Sequence, residues 1–467
     1  MAIRILKHQW HVPLLLMALA DILVLSLSPL LAERLLLSIS PLVSSGSPAP
    51  NWGLNIVFTG MNFLVMAALG LYHARQRSGM MEVVMRVVVS LGIGWVLLTL
   101  MSMMPDQPHF SDSTMALALL MSGLGAIVTR WLLEHGLNED AFKRRVLVYG
   151  AGKRAASILQ LRRRADRRGF TILNYVVAEG DVKDLVPDAQ CIHQKIDLSM
   201  YCQEYLVDEV VVAMDDRRRN FPMHELLCCR LDGVEVTELV SFLERETGKV
   251  RLDVLNPSWM IFSDGFRRGV IHAKLERIMD IVASMILLTF AAPVMLVTML
   301  AIKMEEGWSA PILYGQTRVG ARGKLFRLLK FRSMRVDAER EGKAVWAKAK
   351  DHRATRVGAI IRKIRIDELP QVINVLKGEM SFVGPRPERP EFAEELEQTI
   401  PYYRERHTIK PGITGWAQLC YPYGSSERDA VEKLQYDLYY IKNQSLIFYI
   451  VIVLQTVEVV LWRKGSR

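Results

Sequence analysis

Apolar and polar residues are segregated along this chain rather than interleaved. Residues 12–32, 56–72, 87–104 and 115–133 form nearly unbroken apolar stretches. Each is close to the ~20 residues that a helix needs to cross a bilayer. They predict a four-helix transmembrane bundle within residues 1–140. The first stretch does not read as a cleaved leader, because it is long, carries Asp21 near its middle and lacks a small-residue cleavage site. Loop charge sets the orientation. Arg4 and Lys7 precede the first stretch, Arg75 and Arg77 lie between the second and third, and Lys143, Arg144 and Arg145 follow the fourth. The other two loops hold Arg34 alone, or no Lys or Arg between residues 102 and 113. The positive-inside rule places the amino terminus, and everything after the fourth helix, on the cytoplasmic side.

From residue 141 the pattern changes to short strands alternating with helices. The run RRVLVYGAGKRAA is a strand followed by Gly150-x-Gly152-x-x-Ala155 and a helix, an arrangement that lets backbone approach a phosphate at a helix start. Further strands are expected at 175–178, 209–213 and 234–239, giving a Rossmann-like cytoplasmic module over 141–260. The next acidic candidate, Glu179, lies beyond the ~20 residues usual in a dinucleotide fold, and the length supplies about half of such a fold. A structural or oligomerising role is the better reading than a bound nucleotide, and it leaves room for a homodimer.

A fifth apolar run, 281–302, is interrupted by Pro293 and is basic on both flanks. A straight span would carry the second basic flank outside. A helix that dips in, bends at Pro293 and returns satisfies the charge rule, since proline kinks a helix interior. The last apolar run, 445–462, contains Gln455, Thr456 and Glu458 and reads as an interfacial helix.

Composition agrees with this partition: the 467 residues are 51% hydrophobic and 23% charged. The formal net charge of +10 suits anionic lipid and phosphate ligands in a membrane protein, with no nucleic acid implied. Five cysteines, an odd number without paired metal-ligand spacing, fall in the part expected to be cytoplasmic, where thiols stay reduced, and they point to neither a disulfide framework nor a cysteine metal site.

The chemistry concentrates between residues 314 and 418. Asp367 and Glu368 are adjacent carboxylates, and Gly384-Pro385-Arg386-Pro387 holds a guanidinium on stiff backbone. Carboxylates facing a fixed cation suit phosphate chemistry, as a nucleophile or as a metal site. Lys330 and Arg332 in KFRSM, Arg362 before the carboxylate pair and Gln418 after the KPGITGWAQ block complete the candidate set. Trp416 is expected to be a packed or interfacial aromatic, and Asp280 a structural carboxylate at a helix end.

The blocks KFRSM, DELPQVINVLKG, SFVGPRP and KPGITGWAQ, in this order, resemble the bacterial sugar transferase family, the monotopic polyprenyl-phosphate phosphoglycosyl transferases. The resemblance covers residues 274–462, and the front looks like that of the larger, exopolysaccharide-initiating members. It implies an α-rich monotopic catalytic domain at 261–467 with a re-entrant helix, at the cytoplasmic face of the bacterial inner membrane. It further implies transfer of a sugar 1-phosphate from a UDP-sugar to undecaprenyl phosphate, releasing UMP, with downstream glycosyltransferases as partners in assembly. By resemblance Asp367 is the nucleophile, Mg²⁺ is required, with Asp367 and Glu368 as its candidate ligands, and Lys330, Arg332, Arg362, Pro385, Arg386, Pro387 and Gln418 contact substrate or phosphate. Whether Glu368 is a metal ligand or a base stays open, as does the sugar.

Two other readings compete. A nucleotide-sugar epimerase or dehydratase would need a Tyr-x-x-x-Lys pair in the α/β module, but Tyr175, Tyr201 and Tyr205 each lack a Lys four residues on. A non-catalytic scaffold for polysaccharide assembly would make the carboxylate pair dispensable.

Overall fold

The structure, a computed structural model, describes residues 2–5, 8–39, 51–72, 80–103, 110–136, 143–161, 164–167, 169–182, 185–193, 196–218, 220–255, 257–262, 265–266, 269–334, 354–421, 424 and 426–462. The chain divides into two compact units, Met1–Thr247 and Gly248–Arg467.

The first unit opens with a hairpin, β1 (Ala2–Ile5) and β2 (His8–His11), and continues into four apolar helices. These are α1 (Val12–Ile39), α2 (Trp52–Ala68), α3 (Met80–Ser102) and α4 (Asp112–Gly136). By length and composition α1, α3 and α4 are each able to cross a membrane, as is the helix Val270–Glu306 of the second unit; α2, at 17 residues, sits at the short end of spanning length. Of the loop cations that set the orientation, Lys7, Arg75 and Arg77 lie outside the described residues. Inside the bundle Asp21 is fully buried, and a buried charge is tolerated only when paired. Arg130 supplies the pair, with N–O distances of 2.9 and 2.7 Å, and the Tyr72 hydroxyl donates at 2.8 Å. Asp21 is therefore a bundle contact, as its place in an apolar run suggested.

The same unit carries a parallel five-stranded sheet in the order β5-β4-β3-β6-β7. In chain order its elements are β3 (Arg144–Tyr149), α5 (Lys153–Leu159), β4 (Phe170–Val176), β5 (Cys191–Ile192), α6 (Leu198–Glu204), β6 (Glu209–Val212), α7 (Met223–Leu231), β7 (Glu235–Glu238) and α8 (Leu239–Thr247). The central strands are nearly continuous valine and leucine because helices cover a parallel sheet on both faces. Leu198 and Cys202 of α6 and Leu226 and Cys229 of α7 close one layer over Leu147, Val210 and Val212. β5 was not anticipated, since two residues carry no periodicity.

The second unit begins with α9 (Pro257–Phe262) and α10 (Val270–Glu306), a 37-residue helix that includes Pro293. It continues with β8 (Leu313–Val319), β9 (Leu325–Phe331), α11 (Arg356–Lys363), α12 (Gln371–Lys377), β10 (Ser381–Val383), α13 (Pro390–Thr399), β11 (Gly412–Thr414), α14 (Trp416–Cys420), α15 (Glu427–Lys442) and α16 (Leu446–Trp462). β8 and β9 form an antiparallel ribbon, and β10 pairs in parallel with β11. Both ends of α10 are fastened within this unit. Arg277 donates to the Val375 and Leu376 carbonyls at 2.5 and 2.6 Å, a cation on the exposed carbonyls that end α12. At the other end the Glu305 carboxylate accepts from the Arg356 and Val357 amides at 2.7 and 2.9 Å, capping the start of α11.

The apolar run at 281–302 hid the polar turns that lengthen α10 backwards, so Asp280 lies inside the helix rather than at its end. It is buried and accepts from the Ser381 hydroxyl (2.8 Å), the Phe382 amide (2.8 Å) and the Tyr449 hydroxyl (2.9 Å), tying α10 to β10 and α16. Asp280→Ala strands three buried donors, at a cost of about 3 kcal/mol or more. We expect thermal unfolding of the detergent-solubilised protein to begin roughly 5–10 °C lower in this variant; an unchanged transition would contradict the tie. Trp416 is packed, as expected, donating to the Gly248 carbonyl at 2.8 Å and lying edge-on to Phe448.

Candidate active site

The carboxylate pair sits where the chain leaves α11. Arg365 adopts φ 58° and ψ 20°, a left-handed conformation uncommon for a side-chain-bearing residue, and so turns the chain sharply. A single 3-10 turn, Ile366–Glu368, follows, and α12 starts after Pro370. Successive residues of such a turn diverge by ~120°, so the two carboxylates need not face the same partners. Glu368 lines a shallow, open cleft together with Arg318, Lys330, Gln371, Arg386 and Pro387.

Three cations hold Glu368. Its Oε1 lies 3.0 Å from Lys330 Nζ and 3.2 Å from the Arg386 guanidinium, and its Oε2 lies 3.7 Å from Arg365. Burial alone would raise its pKa; Lys330, Arg386 and Arg365 overcome that and hold it well below the carboxylate range. Asp367, half-buried, goes the other way. Burial raises its pKa above the ordinary aspartate value, and Glu368 adds to this, while Lys330 and then Arg362 pull it back. One carboxylate is thus locked as an anion within a cationic ring. Its neighbour is more basic and unclaimed by an ion pair among the described residues.

The Arg386 loop is rigid for identifiable reasons. The Gly384 amide donates to the Thr414 carbonyl at 2.8 Å, and the Gly412 amide to the Pro385 carbonyl at 2.9 Å, continuing the β10–β11 pairing. A Cβ on Gly384 would come within 2.4 Å of the Lys410 carbonyl, so only glycine fits there. The buried Arg406 donates to the Arg386 carbonyl at 3.1 Å and pairs with Asp437 at 3.0 Å, while Arg318 donates to the Pro387 carbonyl at 3.2 Å. Burial pushes the Arg318 guanidinium down to about 10, with Glu388 opposing that shift and Arg386 reinforcing it. With Arg318, Lys330 and Arg386 against Glu368, the cleft wall has more cations than anions, which favours a phosphate-bearing ligand.

The sequence profile described as "Bacterial sugar transferase" matches residues 271–463. A putative undecaprenyl-phosphate N-acetylgalactosaminyl 1-phosphate transferase of Bacillus subtilis is 51% identical over 29% of this chain and 74% of its own length. The chain belongs to the bacterial sugar transferase family. The UDP-N-acetylgalactosamine-undecaprenyl-phosphate N-acetylgalactosaminephosphotransferase of Aeromonas hydrophila is 41% identical over 51% of this chain and 55% of its own length. The UDP-glucose:undecaprenyl-phosphate glucose-1-phosphate transferase of Escherichia coli is 36% identical over 48% of this chain and 52% of its own. The match thus spans about half the length of these two relatives.

Of the residues singled out in this sugar transferase, Lys330, Glu368, Arg386 and Pro387 line the cleft and Pro385 anchors its loop; Asp367 is not among the lining residues but precedes Glu368 in the same turn, and Arg362 acts on Asp367 by charge. Arg332 and Gln418 are not among the cleft-lining residues; each has a buried side-chain nitrogen without a hydrogen-bond partner, Nε in Arg332 and Nε2 in Gln418. Arg318, Arg365 and Gln371 were not picked out. Gln371 stands within the DELPQVINVLKG block, which was the available signal for it, and Arg318 stands in the run YGQTRVG at residues 314–320, at the start of the region where the chemistry concentrates.

The glycine-rich loop of the first unit has its own internal ligands. Asp215 accepts from the Lys153 and Arg154 amides, both at 2.9 Å, and Asp181 accepts from the Ala151 amide at 2.7 Å. These are the amides that a dinucleotide phosphate would need. A Cβ on Gly152 would lie 2.1 Å from the Asp215 carboxylate, so this glycine serves the internal contact. Glu179, the acidic candidate read from the sequence, instead accepts from the Asn220 side chain at 2.7 Å. Titrating the protein with NADH to millimolar concentration should give no saturable fluorescence change; a saturable one would revive a dinucleotide role.

Proposed function

We propose that this sugar transferase moves a sugar 1-phosphate from a UDP-sugar to undecaprenyl phosphate, releasing UMP and initiating exopolysaccharide synthesis. The observation that carries the reading is the Asp367–Glu368 pair within the family-matched region, one carboxylate ringed by cations and the other poised beside a cationic cleft. The Asp367 carboxylate oxygen attacks the sugar-bearing β-phosphorus of the UDP-sugar. The phosphoanhydride bond breaks, its bridging oxygen leaves with UMP, and an aspartyl phosphosugar remains. An oxygen of undecaprenyl phosphate then attacks the same phosphorus, the acyl–phosphate bond breaks, and Asp367 is restored. Lys330, Arg318 and Arg386 offset the charge that accumulates as the anionic nucleophile meets an anionic diphosphate.

Magnesium takes oxygen ligands, commonly one or two carboxylates together with substrate phosphates. Asp367 fits that part, whereas Glu368, committed to three cations, does not offer a free oxygen. No group of three metal-ligating side chains occurs among the described residues. When bound, the ion would neutralise diphosphate charge. Glu368 then organises Lys330, Arg365 and Arg386 by charge instead of ligating metal.

A re-entrant α10 supports delivery of the lipid phosphate. A straight 37-residue helix is ~55 Å long and would place its ends on opposite sides of a ~30 Å hydrocarbon core. Arg277 and Glu305, near those ends, are held by α12 and α11 of one compact unit. Pro293 supplies the bend, and the catalytic unit stays at the cytoplasmic face of the inner membrane.

Purified protein assayed with undecaprenyl phosphate and a panel of UDP-glucose, UDP-galactose and their N-acetylamino counterparts should release UMP with at least one of them. UMP release from none would sink the reading. The panel also settles the sugar, on which the relatives' names divide.

A further inference from the structure

Behind the cleft wall four charged side chains stand in alternating order. Asp437 of α15 pairs with Arg406 at 3.0 Å; Arg406 lies 3.8 Å from one carboxylate oxygen of Glu388, and Arg318 lies 4.0 Å from the other. The side chains of Asp437 and Arg406 are 3% and 5% exposed, so this end of the row is shielded from solvent and salt. The Arg406 guanidinium also donates to the Tyr403 hydroxyl at 2.5 Å and to the Arg386 carbonyl at 3.1 Å. It therefore grips the backbone of one cleft cation and, through Glu388, meets the side chain of another. The β8–β9 ribbon is fastened at the same place, since the Val319 amide donates to the Glu388 carbonyl at 3.0 Å. Neither Asp437 nor Arg406 lines the cleft itself.

We infer that Asp437 and Arg406 are positioning residues for the transfer reaction: the buried pair holds the Arg386 backbone and leaves Glu388 to steer Arg318, so two cleft cations are aimed at the diphosphate from behind. The inference deepens the transferase reading and rests on it for the ligand. A buried ion pair is weak evidence for stability by itself, but loss of one partner leaves the other charge uncompensated. Without the Asp437 charge, Arg406 draws on Glu388, and Glu388 is taken from Arg318. The link has a pH signature. Burial pushes the Asp437 carboxyl up to about 6 against the pull of Arg406; Glu388 adds to the rise, and Lys433, one turn earlier on α15, opposes it. Tyr403 faces the same carboxylate from the 3-10 turn Tyr403–Thr408 that carries Arg406. On acidification through that value the pair loses its anion, and the grip on both cleft cations slackens.

The test compares full-length wild type with Asp437→Asn, which keeps the size of the side chain and removes its charge. At about pH 8 the variant should lose about 30-fold in kcat/KM for UMP release. The deficit should shrink to about fourfold near pH 5, where most wild-type Asp437 is already neutral. In an Arg386→Ala background the same substitution should cost less than about threefold, because residues that act through one another lose their effects non-additively. Should Asp437→Asn fail to fold, Asp437→Leu combined with Arg406→Met replaces the pair by apolar side chains that a core accepts, and should reproduce both readings. A deficit of the same size at both pH values, or one that adds in full to the Arg386→Ala loss, would make the pair merely structural and overturn the inference. An unchanged rate would overturn it too. If wild type releases no UMP from any UDP-sugar, the transferase reading fails by itself, and calorimetric binding of UDP becomes the readout. Weaker UDP binding by Asp437→Asn at about pH 8 and equal binding near pH 5 would then support the inference, and equal binding at both would overturn it.

Discussion

Asp367→Asn should lower UMP release from the preferred UDP-sugar by about 10³-fold or more while leaving the protein folded. The substitution keeps the shape of the side chain and removes the anionic oxygen that, in the proposed reaction, attacks phosphorus. A loss of that size corresponds to about 4 kcal/mol of barrier, typical of deleting a covalent nucleophile. The 3-10 turn is set by Arg365 and Pro370 rather than by the Asp367 carboxylate, so thermal unfolding should be little changed. Release at the normal rate would remove Asp367 from the chemistry.

Lys330→Met should cost about 10²-fold in kcat/KM and also move the acid limb of its pH profile. The sign follows from the surroundings of Asp367. As the proposed nucleophile Asp367 must act as a carboxylate, and burial already raises its pKa, so activity should fall on acidification at a higher pH than for an exposed aspartate. Lys330 is the foremost group pulling that pKa back down. Without it the pKa rises further, and the limb shifts toward neutral pH. A uniform loss of rate with an unmoved limb would mean that Lys330 only binds substrate. The same substitution frees Glu368 Oε1 from its shortest ion pair, at 3.0 Å, so the two effects share one origin in the cationic ring.

Periodicity carried much of this architecture. The long apolar runs became helices, and β3, β6 and β7 lay where valine-rich segments ended in turns, whereas β4, expected at 175–178, runs from Phe170 to Val176. Charge at the loops, by contrast, rests on residues such as Arg75 and Arg77 that lie outside the described ones. What stayed illegible was set by contacts distant in sequence. Asp280 read as a helix-end carboxylate because the polar turns before residue 281 look like a linker, and only Ser381, Phe382 and Tyr449 explain its burial. The glycine-rich loop looked like half of a nucleotide site, and nothing local announces that Asp215, more than 60 residues on, fills it. In the candidate active site the carboxylate pair and the Arg386 loop were legible from their blocks. The division of labour was not, because it depends on Lys330, 38 residues before Glu368, choosing one carboxylate over its neighbour.

The central claim is that Asp367 carries the sugar phosphate between two substrates, and mass spectrometry tests it most directly. Incubating the purified protein with its UDP-sugar, without undecaprenyl phosphate, should release UMP in an amount stoichiometric with enzyme. The intact mass should rise by one phosphosugar, mapped by peptide fragmentation to Asp367 and lost when the lipid phosphate is added. If no adduct forms and UMP appears only when both substrates are present, transfer is direct and the aspartyl intermediate is excluded.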